Sequence, residues 1–65
     1  MFKVYIKTIE GENVVVPKAD DDWVRRMWKA IDNGEKLVIP RGSSILYLMP
    51  YYVGSVELQE IENEH

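Results

Sequence analysis

The chain has 65 residues, a formal net charge of −3 and no cysteine. This length makes one small domain, and the missing thiols exclude disulfides, thiolate zinc sites and cysteine nucleophiles. About 30 side chains are hydrophobic, 46% of the chain, roughly twice the number that one helix and one sheet face can cover. With no covalent or metal support for so small a domain, we expect a homo-oligomer, with a dimer favoured.

The first predicted element is a strand over residues 2–9, where hydrophobic and polar side chains alternate. Turn-forming residues at 10–13 and the β-branched run Val14-Val15-Val16 then predict a hairpin that ends at Pro17. Charges on alternate positions near Met1 are unlike a secretory signal, so we expect a cytoplasmic protein.

An amphipathic helix is predicted next, over residues 21–32. Three aspartates at its start suit the N-cap and the positive end of the helix dipole, and Asn33-Gly34 gives a left-handed stop. Met27 and Ile31 lie on the inward stripe. The two tryptophans lie about 140° apart around the helix axis, so both cannot face the sheet centrally. We expect Trp28 to be the more exposed ring and a candidate interface residue.

Three further strands are predicted over residues 35–39, 44–49 and 55–59. The second of them shows little alternation, which predicts burial on both faces. The order ββαβββ indicates an α+β domain over residues 1–61, a small antiparallel sheet of four to five strands with one helix packed on one face. A sheet rolled toward a partial barrel is the alternative. Residues 62–65 form a polar tail.

Patterns for catalysis, metal binding or membrane insertion are missing from the sequence. The single histidine, His65, is the final residue, so no serine or threonine has an evident base to activate it. The three aspartates lack the spacing of a calcium loop, and helix capping explains them. The longest nearly apolar run, Ile45 to Val53, is nine residues, far below the roughly 20 that a membrane helix needs. We expect no enzyme, no cofactor and no membrane contact.

One loop has groups that suit an anion. Arg41, Ser43 and Ser44 offer a guanidinium and two hydroxyls beside Gly42, which would suit a phosphate or a nucleotide signal. The loop lacks the lysine and the second glycine of a P-loop, and a hairpin turn uses the same residues for geometry alone. The sequence leaves both interpretations open.

Tyrosines dominate the segment that follows this loop. Their rings could pack in the core or in turns, line a protein interface, or stack on a base. No lysine or arginine lies between Ile45 and Val53, which disfavours nucleic acid as the partner. The candidate binding residues of the chain are Trp28, Arg41, Ser43, Ser44, Tyr47, Tyr51 and Tyr52.

The layout of most of the chain resembles that of short uncharacterised proteins of Gram-positive bacteria and their phages. The resemblance is in the layout of Leu46-Tyr47-Leu48-Met49-Pro50-Tyr51-Tyr52-Val53-Gly54-Ser55-Val56-Glu57-Leu58, which follows a helix and a glycine stop. It brings no catalytic residue and implies a small accessory protein that acts by binding. Two function classes remain. The first is a non-enzymatic protein-binding module, such as a phage-type inhibitor, and the second is an oligomeric binder of a phosphorylated small molecule or nucleotide signal through the Arg41 loop.

Overall fold

The computed structural model describes residues 1–61, which form five strands, one α-helix and one short 3₁₀ helix. The predicted polar tail, residues 62–65, lies outside the described residues. The elements in chain order are β1 (Phe2–Thr8), β2 (Asn13–Ala19), α1 (Asp21–Asn33), β3 (Leu37–Arg41), β4 (Ser44–Leu48), the 3₁₀ helix (Pro50–Tyr52) and β5 (Val53–Glu60).

The strands are divided between two antiparallel sheets. β5 pairs with β1, which gives the order β2-β1-β5, and β3 pairs with β4 in a separate hairpin. The α+β class is confirmed, but the prediction of a single sheet is wrong, and the partial barrel is wrong because the sheets are not closed. The reason lies at Pro50, which has no N–H to continue a ladder and opens the 3₁₀ helix. The chain therefore leaves β4, and β5 pairs along the edge of β1 instead.

One continuous core joins the two sheets and the helix. Its largest fully buried side chains are Val4, Ile6 and Ile39, so β1 and β3 contribute its centre. Thr8 is the buried polar residue of the described chain, and its hydroxyl accepts a hydrogen bond from the N–H of Glu12 at 3.1 Å. The other core members are Val14, Val16, Ala19, Val24, Met27, Leu37 and Leu48.

β2 continues through Pro17, where the sequence predicted its end. The register with β1 shifts at this point, because Val4 pairs with Val16 whereas Phe2 pairs with Ala19. Pro17 therefore lies at an irregularity of an edge strand, a position where a missing N–H removes no ladder hydrogen bond.

Helix α1 begins and ends close to the predicted positions. The N–H of Trp23 donates to Asp20 Oδ1 at 2.8 Å, which confirms Asp20 as the N-cap. At the other end Gly34 has φ = 71°, and its N–H and that of the next residue donate to carbonyl groups of the last turn. This is a Schellman-type stop. Local signals at both ends thus set the length of the helix.

The helix presents Val24 and Met27 to the core. Trp23 and Ile31 are half-buried, whereas Trp28 is 41% exposed. The prediction that Trp28 is the more exposed ring is confirmed. No helix of residues 1–61 combines the length and the apolar character that crossing a membrane requires.

The sequence predicted that β4 is buried on both faces, and this prediction is wrong. Leu48 is buried and Leu46 is half-buried, whereas Ile45 and Tyr47 are each 55% exposed. The strand alternates in burial but not in polarity, because its outward side chains are also apolar. A strand with apolar residues on both faces cannot be distinguished from a fully buried one by its sequence.

Candidate functional site

An apolar surface lies on the outer face of the β3–β4 hairpin. Val38 pairs with Tyr47 and Pro40 pairs with Ile45, and alternation puts all four side chains on the face opposite the core. Met49 continues this alternation in extended backbone after β4. The exposed fractions of the four largest residues run from 47% to 55%. We call these five residues the hairpin patch.

The hairpin patch is unusual for a sheet face in contact with water. The outer face of such an antiparallel sheet is normally polar. With about 200 Å² for a tyrosine side chain, the exposed parts of these five residues sum to on the order of 400 Å², a size typical of interaction sites. No acidic residue occurs from 36 to 56, and the charged residues there are Lys36 and Arg41. Of these two, Lys36 lies against the patch, with its Nζ 5.3 Å from the centre of the Tyr47 ring.

The predicted anion-binding loop forms the tight turn of this hairpin. Gly42 and Ser43 are the two central residues, and Gly42 has φ = 60°, as the first central position of a type II′ turn requires. The Ser44 hydroxyl donates to the Arg41 carbonyl at 3.0 Å. Arg41 and Ser44 share the face opposite to Tyr47 by alternation. The geometry of the turn is enough to explain why glycine occurs at 42 and serine at 44. Phosphate binding by this loop stays a prediction.

Tyr51 and Tyr52 lie on the 3₁₀ helix after β4 and differ in their surroundings. Tyr51 is 78% exposed. Tyr52 is half-buried, and its hydroxyl donates to the carboxylate of Glu10. Its carbonyl also accepts from the N–H of Ile9 at 2.9 Å. Tyr52 therefore ties the 3₁₀ helix to the β1–β2 turn, whereas Tyr51 is available to a partner.

The Tyr52 contact predicts a pH dependence. The hydrogen bond to Glu10, with desolvation and nearby carboxylates, raises the pKa of Tyr52 from 10.0 to about 12. Because the folded state holds this proton more tightly than the unfolded state, the stabilisation is complete below pH 10 and is lost as the pH rises toward 12. We expect the last step of the phenolate absorbance titration of the folded chain to disappear in Tyr52→Phe. Tyr51→Phe should retain this step, and its persistence in Tyr52→Phe would contradict the assignment.

A cleft lies between α1 and β3, with a volume of about 180 Å³. Trp23, Arg26, Met27 and Ala30 line its helix side. Its strand side consists of Lys36, Leu37 and Val38. No β4 residue is part of this lining, so the cleft opens along the edge of β3 that faces away from β4.

Sequence reasoning did not find this cleft. The helix residues recur at i, i+3, i+4 and i+7, the spacing of a single helix face. That stripe was visible in the sequence beside the core stripe. Whether this stripe lines a cleft depends on the position of β3, and no local sequence signal gives that position.

A polar depression and the acidic side chains elsewhere are weaker candidates for a binding site than the hairpin patch and the cleft. A shallow depression of about 460 Å³ on the outer face of the three-stranded sheet mixes Lys7 with Glu57. In it the Tyr5 hydroxyl donates to Gln59 Oε1 at 3.0 Å. Within residues 1–61 no group of three acidic or histidine side chains is arranged to hold a metal ion.

The chain was compared with protein-family models, curated proteins and solved structures, and no match was found. The resemblance to short proteins of Gram-positive bacteria and their phages therefore stays a prediction.

Proposed function

We propose that this chain is a small, non-enzymatic, cytoplasmic protein that acts by binding another protein through the hairpin patch. The observation that supports this is the contiguous apolar outer face of β3 and β4. At about 25 cal/mol per Å², covering roughly 400 Å² offers on the order of 10 kcal/mol before the costs of association. That suits a transient complex better than an obligate one, which buries a larger area.

Within residues 1–61 no backbone group bonds to the outer edge of β4, so this edge adds backbone groups to the surface. In a two-residue turn the flanking pair, Arg41 and Ser44, is hydrogen-bonded, so alternation directs the N–H and C=O of Ile45 and Tyr47 away from β3. Residues 44–48 contain no charge and no proline, the features that usually protect an edge strand. A partner can therefore cover the patch and pair with β4 at the same time.

The test is capture of a partner from a Gram-positive bacterial lysate, followed by titration of the purified partner. Tyr47→Ala should weaken binding by about 30-fold or more, as expected for the central aromatic residue of an interface. Val15→Ala is the matched control, because Val15 is an exposed apolar residue on the outer face of β2. Binding that is unchanged by Tyr47→Ala would overturn the proposal.

Two other occupants give different results in the same experiment. If a second copy covers the patch, as in the predicted homodimer, sedimentation should show a dimer that Tyr47→Ala converts to a monomer. If a phosphorylated ligand binds the Arg41 loop, calorimetric titration with nucleotides should show binding that Arg41→Ala removes. Tyr47→Ala should leave that nucleotide binding unchanged, because the two residues lie on opposite faces.

A further inference from the structure

The geometry points to a second binding site, in the cleft between α1 and β3. We infer that it takes an extended acidic peptide, which adds a strand to the free edge of β3 and inserts one apolar side chain beside Trp23. This inference goes beyond the hairpin patch and does not depend on it, although Val38 borders both surfaces.

The edge of β3 offers the backbone groups that strand addition needs. Pro40 and Val38 alternate with the hydrogen-bonded pairs of the hairpin, so their backbone groups face away from β4. This position suits Pro40, which has no N–H to offer. No other backbone group of residues 1–61 bonds to this edge. An added strand would therefore gain both the N–H and the C=O of Val38.

The base of the cleft is apolar and has room for one side chain. Met27 and Leu37 are each 3% exposed, and the half-buried ring of Trp23 stands beside them. A cavity of about 150 Å³ holds a benzene-sized ligand, so about 180 Å³ accommodates a leucine or a comparable side chain.

The rim of the cleft is basic, which decides the charge of the ligand. Arg26 and Lys36 line it, and no acidic residue is among the described lining residues. Arg26 contacts Asp22 at 3.2 Å, but both side chains are largely exposed, so this pair is weak and leaves donors for a ligand. Lys36 Nζ lies 5.3 Å from the centre of the Tyr47 ring. Carboxylates on the peptide would meet both cations.

The same residues restrict what can pair with this edge. Lysine and proline are common protections against unwanted strand pairing, and here Lys36 and Pro40 flank Val38. When the added strand is acidic, the positive charge of Lys36 attracts it instead of protecting the edge.

A second copy is a poor occupant, because a two-fold axis through the cleft would bring the cations of both copies together. Pairing over residues 36–39 spans about 13 Å, so a five-residue peptide is long enough.

The experiment uses a capped peptide with the sequence threonine, glutamate, leucine, glutamate, threonine. In Trp28→Phe the remaining tryptophan is Trp23, whose fluorescence reports occupation of the cleft. We expect a saturable fluorescence change at micromolar to millimolar peptide. Replacing both glutamates by lysine should abolish the change, and replacing the leucine by glycine should weaken binding by about tenfold. Calorimetric titration of the unaltered chain repeats the measurement without the substitution.

A matched pair of arginines tests the position of the site. Arg25 and Arg26 both contact Asp22 and are similarly exposed, but only Arg26 lines the cleft. Arg26→Gln should weaken peptide binding about three- to fivefold, and Arg25→Gln should change it less than twofold. Amide exchange at Val38 should slow when the peptide is bound.

Three results would overturn the inference. They are the absence of saturable binding up to millimolar peptide, equal binding of the acidic and basic peptides, and equal effects of the two arginine substitutions. The outcome is separable from the hairpin patch, because Ile45 belongs to the patch but not to the cleft lining, so Ile45→Ala should leave peptide binding unchanged.

Discussion

Replacing Ile39 by alanine should lower the free energy of unfolding by about 3 to 5 kcal/mol. Ile39 is fully buried at the centre of the core, and such truncations cost about 2 to 5 kcal/mol. We expect the upper part of this range because the two sheets of residues 1–61 share no ladder. An isolated two-stranded hairpin is marginal in water, so the hairpin depends on its inward side chains for its position.

The measurement is urea unfolding of Ile39→Ala beside two related variants. Val38→Ala alters the next residue of β3, which faces outward, and it should cost less than about 1 kcal/mol. Ile39→Val should cost about 0.5 to 1.5 kcal/mol and stays measurable if alanine leaves little folded protein. Equal losses for Val38→Ala and Ile39→Ala would show that the faces of β3 are assigned wrongly.

The parts of the fold that the sequence predicted are those with local causes. Helix α1 is the clearest case, because Asp20 caps one end and Gly34 stops the other within a few residues of the groups they satisfy. The two hairpins were predicted for the same reason, although β3 begins and ends two residues later than expected. Pro40 and Arg41 lie in that strand because an edge strand tolerates proline where the N–H faces outward.

The parts that the sequence did not predict depend on distant contacts. β5 pairs with β1 across the length of the chain, with Ile6 opposite Val56. Pro50 ends the ladder of β4, but nothing in either segment specifies β1 as the partner of β5. The separation of the two sheets follows from this choice. The cleft then depends on the position of β3 beside α1, so neither Arg26 nor Lys36 could be identified as a binding residue from its neighbours in sequence.

The candidate binding residues Arg41 and Tyr47 lie on different surfaces, and this separation also depends on how the strands pair. Arg41 and Tyr47 are six positions apart, but the turn between them fixes a register in which Arg41 pairs with Ser44 and Tyr47 pairs with Val38. Adjacent rungs of a ladder alternate in face, so three rungs of separation put the two side chains on opposite sides. A single site that combines the Arg41 loop with Tyr47 would need both faces of the hairpin. The two function classes therefore concern different surfaces.

Met27→Ala is expected to have the second large effect, a loss of about 2 to 4 kcal/mol. Met27 is 3% exposed on the inner face of α1, and a chain of this length has a total stability of roughly 3 to 10 kcal/mol. Ile31→Ala should cost less, because Ile31 is half-buried. Arg25→Ala should have little effect, since its ion pair is exposed.

Thermal and urea unfolding of the three variants test this order. Met27→Leu preserves the volume and should cost less than about 1.5 kcal/mol, which separates loss of packing from loss of the methionine itself. Met27 also forms the base of the cleft, so Met27→Leu should retain peptide binding, whereas Met27→Ala enlarges the cleft and removes contacts there. A larger loss for Arg25→Ala than for Met27→Ala would mean that α1 faces the core with its other side. The cleft lining depends on the same helix orientation, so that result would also remove the basis for the peptide site.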